Sequence, residues 1–314
     1  MRRCRLLVLF LISLWSLPAW AQPPRVVVSI APLHSLVAGV MAGVEQPRLL
    51  LPQGASPHTY AMLPSDARAL RDATLVVWVG EGLEAFLRKP LATLSRDASL
   101  LTVAELPGLQ LLPAREHADW NDDHHDHDHD HDHSASGQHD WHLWLDPRNA
   151  AVIVDAVAER LGRLDPANAA RYRDNARALR ARLDLLDREL TAALSAVRDQ
   201  PYVVFHDAYQ YFEHRYGLRS VGAITVNPER PPGARRVAEL HRKLEAQGVR
   251  CLFREPQFES NLVQAIVRGT SVPVGVLDPE GATRQPGPEL YFELMRDLAV
   301  SLNDCLGRNA GKAP

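Results

Sequence analysis

Cysteine is scarce in this chain: Cys4, Cys251 and Cys305 are its only three. So few sulfurs exclude a disulfide-dense miniature fold and a closed four-thiolate zinc site. Basic charge is not in excess either, with 35 Lys and Arg against 38 Asp and Glu. No basic patch of the kind that tracks phosphates stands out, so nucleic acid is not an expected partner. Beyond the N-terminus, no apolar run reaches the roughly 20 residues of a membrane-crossing helix. Also missing are the G-x-x-x-x-G-K-[ST] loop of nucleotide-driven motors, the H-E-x-x-H helix of zinc proteases and the G-x-S-x-G nucleophile elbow.

What is present starts with "MRRCRLLVLFLISLWSLPAWAQ". Arg2, Arg3 and Arg5 form a basic leader, Leu6 to Leu17 a short apolar stretch, and Ala19-Trp20-Ala21 an A-x-A cleavage signal. Residues 1–21 thus read as a secretory signal peptide, and the mature chain as an exported, soluble periplasmic protein. Cys4 precedes the apolar stretch, so it is not a lipidation cysteine. Losing the three leader arginines moves the formal charge from −3 to −6. Cleavage also leaves Cys251 and Cys305 as an even pair, which an oxidising compartment is expected to join.

The most unusual segment is "DDHHDHDHDHDH" at 122–133, in which six aspartates mix with six histidines: His124, His125, His127, His129, His131 and His133. The composition points to metal. It holds no apolar residue, so nothing offsets the entropy of ordering it, and it reads as a disordered loop over 115–140.

Around that loop, strand-like and helix-like stretches alternate. "RVVVSI" (25–30), "PRLLL" (47–51), "TLVVWVG" (74–80) and "WHLWLDP" (141–147) read as strands of an N-terminal α/β lobe spanning 22–147. Ser65 is placed as the N-cap of a helix starting at Asp66, and Asp146-Pro147 as N-cap and N1 of another. Residues 148–199 form a helical connector. Within it, 165–197 lack glycine and carry a stripe of Leu179, Leu183, Leu186 and Leu190, so one helix of about 30 residues is expected. "PYVVF" (201–205), "VRCLFRE" (249–255) and "VPVGVLD" (272–278) are strands of a second lobe, 200–314, with helices at 207–217, 259–269 and 288–306. The expected architecture is two parallel-sheet α/β lobes joined by one long rigid helix.

Open parallel sheets bind ligands beyond the carboxyl ends of their strands. Four titratable residues stand there: His58 after "LLL", His142 in "WHLWLDP", His206 ending "YVVF" and Asp278 ending "VPVGVL". Three imidazoles with a carboxylate or water make a tetrahedral zinc set in an inter-lobe cleft. His34 follows the first strand and is a weaker candidate; His214 and His241 read as exposed helix residues.

The stretches "LLPQGASPHTYAMLPSDARAL", "LVVWVGEGLEAFL", "HLWLDPRNA" and "VVFHDAYQYFEHRYGL" resemble the zinc-specific substrate-binding proteins of bacterial ABC importers, the ZnuA type of the metal-binding cluster A-I (cluster 9) family. The likeness covers the whole mature chain and extends to a charged, histidine-rich loop before "HLWLDP". It implies two α/β lobes about one long helix, zinc ligation by His58, His142 and His206, a Cys251–Cys305 disulfide, and Zn2+ as transported ligand. It further implies a monomer that docks on a membrane permease driven by a cytoplasmic ATPase on another chain. One departure stands out. Several relatives place a glutamate just before the first histidine, where this chain has Pro57, which has no donor atom to offer. The fourth position then falls to Asp278, a water or a loop histidine. Manganese-specific relatives place a carboxylate where His206 stands; three imidazoles suit zinc better.

Two other readings use the same residues. A zinc hydrolase would need an activated water and a base such as Asp278 or Glu255; a zinc buffer or adhesin would need only the loop. The loop itself reads as an auxiliary weak collector, since every binding event there must first order the chain. Deleting residues 117–139 is therefore expected to leave one tight zinc per chain with unchanged affinity and to remove the weaker equivalents in a metal-counting titration. Loss of the tight zinc would make the loop the primary site.

Overall fold

A computed structural model of the chain describes residues 22–115, 118, 139–226, 228, 232–259 and 261–307. The signal peptide and the six loop histidines lie outside the described residues. Two four-stranded sheets are present, each wholly parallel. The first uses β1 (Val26–Val28), β2 (Arg48–Leu49), β3 (Leu75–Trp78) and β4 (Ser99–Thr102), in the order β2-β1-β3-β4. The second uses β5 (Tyr202–His206), β6 (Ser220–Thr225), β7 (Cys251–Arg254) and β8 (Val274–Val276), in the order β6-β5-β7-β8. The two lobes thus repeat one winding. Their central strands are apolar on both faces, as a sheet covered on both sides requires: β3 and β5 are buried at every position.

The helices of the first lobe are α1 (Ala31–Val40), α2 (Pro64–Asp72) and α3 (Arg88–Leu94). The connector is α4 (Pro147–Leu164) and α5 (Ala169–Leu194), and the second lobe adds α6 (Gln210–Tyr216), α7 (Ala234–Ala246), α8 (Asn261–Val267) and α9 (Leu290–Leu306). α4 starts as expected: the Arg148 N–H donates to the Asp146 carboxylate at 2.8 Å, with Pro147 at N1. α2 starts differently. Leu63 is its N-cap residue and Pro64 its first position; the Asp66 carboxylate reaches back to accept the Leu63 N–H at 2.9 Å, and Ser65 is not the cap. A carboxylate at the third position satisfies the end as well as a capping serine would.

The long joining helix expected over 165–197 is α5, and α4 precedes it in the connector. α4 closes at Leu164, a 3-10 turn follows over Pro166–Asn168, and α5 runs 26 residues. Asp165 stops the first helix: its carboxylate is spent on Tyr172 Oη at 2.9 Å and Asn168 Nδ2 at 2.8 Å. The leucine stripe of α5 is buried within the chain, with Leu179, Leu183, Leu186 and Leu190 in one apolar core. That core runs from Val26 to Leu306 and takes in both sheets, α1, α4, α5 and α9. "WHLWLDP" is not a strand. Trp141 lies in a bend, His142 has φ −83° and ψ 36°, and a 3-10 turn follows over Leu143–Leu145 with all three side chains buried. Its apolar run is long enough to resemble a buried strand, yet it pairs with neither edge strand of the first sheet, β2 or β4. β6 and α7 complete the second lobe in the stretch between the expected helix at 207–217 and strand at 249–255.

Cys251 in β7 and Cys305 in α9 form a disulfide with Cα atoms 6.0 Å apart, closing a loop of 54 residues. It ties the last helix to the centre of the second sheet. In the chain-entropy account such a loop contributes at most about 4 kcal/mol. Replacing both cysteines by serine is expected to lower the urea midpoint accordingly while the zinc stoichiometry stays the same; a midpoint within error of wild type would contradict a structural role.

Candidate metal site

Three elements carry the three histidines to one point. His58 lies in the loop after β2, with its N–H on Ser56 Oγ at 3.3 Å. His142 precedes the 3-10 turn at Leu143. His206 is the last residue of β5. Their ring centroids form a nearly equilateral triangle, 5.6, 5.6 and 5.2 Å on a side. One ring nitrogen from each lies within 4.8 Å of the others. His142 Nε2 and His206 Nε2 stand 3.3 Å apart. Two zinc-bound nitrogens at 2.0–2.1 Å from the ion and a tetrahedral angle are separated by about the same distance. His58 Nε2 is buried and has no hydrogen-bond partner.

Carboxylates behind two of the rings set their tautomers. His142 Nδ1–H donates to Asp140 Oδ1 at 2.8 Å, and the same oxygen accepts the His142 N–H at 2.9 Å. His206 Nδ1–H donates to Glu255 Oε1 at 2.7 Å. With the proton on Nδ1, both Nε2 lone pairs are free to face a metal, the usual arrangement of ligating histidines. Asp140 is itself held across the lobes, its carbonyl accepting Tyr211 Oη–H at 2.8 Å. Trp144 Nε1–H donates to Pro279 O at 2.9 Å, and Tyr291 Oη–H to Trp144 O at 2.8 Å. Trp141 is seated on the glycine turn after β3: a Cβ at Gly82 would fall 1.9 Å from its ring. A side chain there would displace Trp141 and, with it, the ring of His142.

The whole chain can now be set beside known proteins. The family model for the periplasmic component A of zinc-uptake complexes, ZnuA, matches residues 26–305. The chain belongs to the ZnuA family. It is 44% identical over 306 residues to the high-affinity zinc uptake system protein ZnuA of Brucella suis, covering 90% of this chain and 92% of that one. It is 39% identical over 291 residues to the ZnuA protein of Haemophilus ducreyi, with 90% and 93% covered. A crystal structure of ZnuA matches with a TM-score of 0.76 over 90% of this chain and 99% of that one; at 24% identity it supports the fold.

Within this ZnuA-family chain the remaining candidates separate. Asp278 is not in the three-nitrogen group. Its Oδ1 accepts from Gln257 Nε2 at 2.8 Å and from the N–H groups of Glu280 and Gly281 at 3.1 and 3.0 Å; its Oδ2 is buried without a partner. His34 is buried in α1, with Nε2 3.0 Å from Pro47 O, away from the cluster. His214 is exposed, as expected; His241 is half-buried, its Nδ1 2.9 Å from Ile266 O. The space between the histidines is about 10 Å3 and is lined by Ser56, Pro57, Glu255, Gln257, Phe258, Pro279 and Glu280 besides the three rings. Asp140 and Glu280 escaped sequence reasoning, and Glu255 entered it only as a hydrolytic base. The signals were an acid two residues before His142 and acids at or just past the ends of β7 and β8.

Burial shifts several groups around the cluster toward their neutral forms. His58 is pushed down to about 2, first by desolvation and then by His142 and His206. Glu84, fully buried, is pushed up to about 7 by desolvation, although Ser29 Oγ, Val79 N and Gly80 N all donate to it. Asp207 rises to about 7 through burial, offset in part by Arg115. Glu280 is raised well above its usual range by burial, then by Asp278, Glu84 and Glu255. Arg115, from the stem of the histidine-rich loop, bridges Asp207 and Glu213 at 2.8 Å each.

The His58 shift has a consequence for stability. The unfolded chain protonates this imidazole below about 6.5, whereas the folded chain holds it neutral down to about 2. Between those values the unfolded state binds more protons, so stability rises with pH and falls as pH drops below 6.5, by at most about 1.4 kcal/mol per unit for this one group. Urea unfolding of metal-stripped protein at pH 7, 6 and 5 is expected to show a steeper loss for wild type than for His58→Gln. Parallel curves would refute the shift.

Proposed function

We propose that His58, His142 and His206 are the primary zinc ligands and that the chain is the periplasmic zinc-capturing subunit of an ABC importer. It delivers Zn2+ to a membrane permease driven by an ATPase on another chain. Membership of the ZnuA family supports a zinc-uptake component rather than an enzyme. The observation that carries the assignment of the ligands is the convergence of three imidazole nitrogens within 4.8 Å, two of them held by carboxylates. Neutral imidazoles favour zinc, copper and nickel over manganese or calcium. Residues 1–21 serve as the signal peptide that takes the chain to the periplasm. No helix among the described residues is long and apolar enough to cross a membrane. The exported chain acts as a monomer, with lobes 22–147 and 200–314 about the connector 148–199.

Of the alternatives, the hydrolase has little support. The space beside the histidines is about 10 Å3, close to that of one water. A chain that only buffered zinc through its loop would have no use for a carboxylate-oriented histidine cluster.

The ligand set and its supports have different expected costs. His142→Ala removes a ligand and is expected to weaken zinc binding by more than about a hundredfold. Asp140→Ala and Glu255→Ala leave all three imidazoles in place and are expected to cost about 10–100-fold. Competition titration against a chromophoric chelator, with metal counting, reads both. Wild-type affinity in His142→Ala would remove the cluster from zinc capture.

A further inference from the structure

We propose that Phe258 sets the metal selectivity of the site: its phenyl ring fills the room in which further waters would complete a six-coordinate shell, and so holds the bound ion to four ligands. This rests on the three-histidine reading above. Three neutral imidazoles disfavour manganese and calcium, but they suit copper and nickel as well as zinc. Geometry is the filter that remains. Zinc is satisfied by four tetrahedral ligands, whereas nickel and copper prefer square-planar or tetragonal surroundings. On three histidines, a tetrahedral ion needs one more ligand and a six-coordinate ion needs three. The space beside the rings is about 10 Å3, which is close to the minimum for a single water.

The walls of that space show what keeps it small. Ser56, Glu255 and Gln257 are committed to neighbours: Ser56 Oγ accepts the His58 N–H, Glu255 Oε1 accepts the His206 Nδ1–H, and Gln257 Nε2 donates to Asp278 Oδ1. Pro57 and Pro279 are closed on their own backbone, and the Pro279 carbonyl accepts from Trp144 Nε1–H. Phe258 is the large apolar side chain of the lining, and it has no donor atom to offer an ion.

The phenyl ring is pinned where it stands. It stacks on Phe205 with centroids 4.8 Å apart and planes at 16°, and it meets the His206 ring at 6.0 Å and 75°. Both are favoured arrangements of aromatic pairs. Phe205 directly precedes His206 in β5, so one strand end supplies a ligand and the platform for the ring beside it. Phe258 also packs against the second lobe's apolar cluster, which includes Val203, Leu252 and Val263. Its N–H is bound to Glu255 O at 3.4 Å, in the residue whose carboxylate orients His206. An ion that took on two further waters would have to displace this ring from the Phe205 stack and from the core.

The test compares wild type, Phe258→Ala, Phe258→Leu and His142→Ala. Zn2+ and Ni2+ affinities are read by chelator competition, and folding by calorimetry of the metal-stripped protein. Coordination number is read from the visible bands of the Co2+ complex, which are intense for four ligands and weak for six. In Phe258→Ala the ratio of nickel to zinc affinity is expected to rise about tenfold as the geometric filter is lost, and the Co2+ bands to lose intensity. The proposal is overturned if that ratio stays within about twofold of wild type, or if the Co2+ bands keep their intensity. Loss of packing alone would weaken both metals together and leave the bands strong. Should Phe258→Ala not fold, Phe258→Leu keeps an apolar side chain without the ring and is judged by the same two criteria. Failure of the three-histidine reading is separate and shows as wild-type zinc affinity in His142→Ala.

Discussion

The site depends on two hydrogen bonds, His142 Nδ1–H to Asp140 and His206 Nδ1–H to Glu255. An imidazole has two nitrogens and two neutral tautomers, and only one of them presents a lone pair toward the cluster. The carboxylates decide that choice before any ion arrives. They also stop ring rotation, so the two Nε2 atoms are held 3.3 Å apart, the separation of two corners of a zinc tetrahedron. His58 has no such support in its loop.

Rigidity behind those bonds comes from how the lobes are joined. A flexible tether between independent lobes would let the cleft sample many widths. Here one apolar core spans both sheets, with the leucine stripe of α5 at its centre. Polar ties then cross the cleft floor: Tyr211 to Asp140, Trp144 to Pro279, and Tyr291 to Trp144. These bonds connect the segment carrying His142 to the lobe carrying His206. A movement that separates the two histidines must break buried hydrogen bonds, each costing about 1 kcal/mol or more.

Much of this was legible in the sequence because it rests on local patterns. Apolar runs bounded by Gly, Pro and Asp gave β1, β3, β5 and β7, and the spacing of Leu179 to Leu190 gave the buried face of α5. Strand-end histidines, with the family resemblance, gave the cluster. What stayed hidden depends on distant partners. "WHLWLDP" has the composition of a strand, yet its middle closes into the 3-10 turn Leu143–Leu145, whose three side chains are buried. Asp165 looks like any helix residue until Tyr172 and Asn168 claim its carboxylate. Asp278 stands at a strand end, as a ligand would, but its Oδ1 closes the turn that follows, whereas Glu280, two residues on, lines the site. No one-dimensional pattern distinguishes a carboxylate that faces a cleft from one that caps a turn.

The charge pattern explains why such a site suits transport. Burial drives His58 toward the neutral form and Glu84, Asp207 and Glu280 toward protonation, so isolated charges of either sign are disfavoured here. A monovalent ion gains too little from neutral nitrogens to repay the loss of its water. A dication gains from three nitrogen donors and from a shell of carboxylates that its charge helps to ionise, so the site selects for charge as well as for ligand type. Protons compete for the same groups: each one taken up by an imidazole removes a lone pair, and each one kept by a carboxylate removes compensation. Capture and release are therefore linked to proton traffic at the cleft.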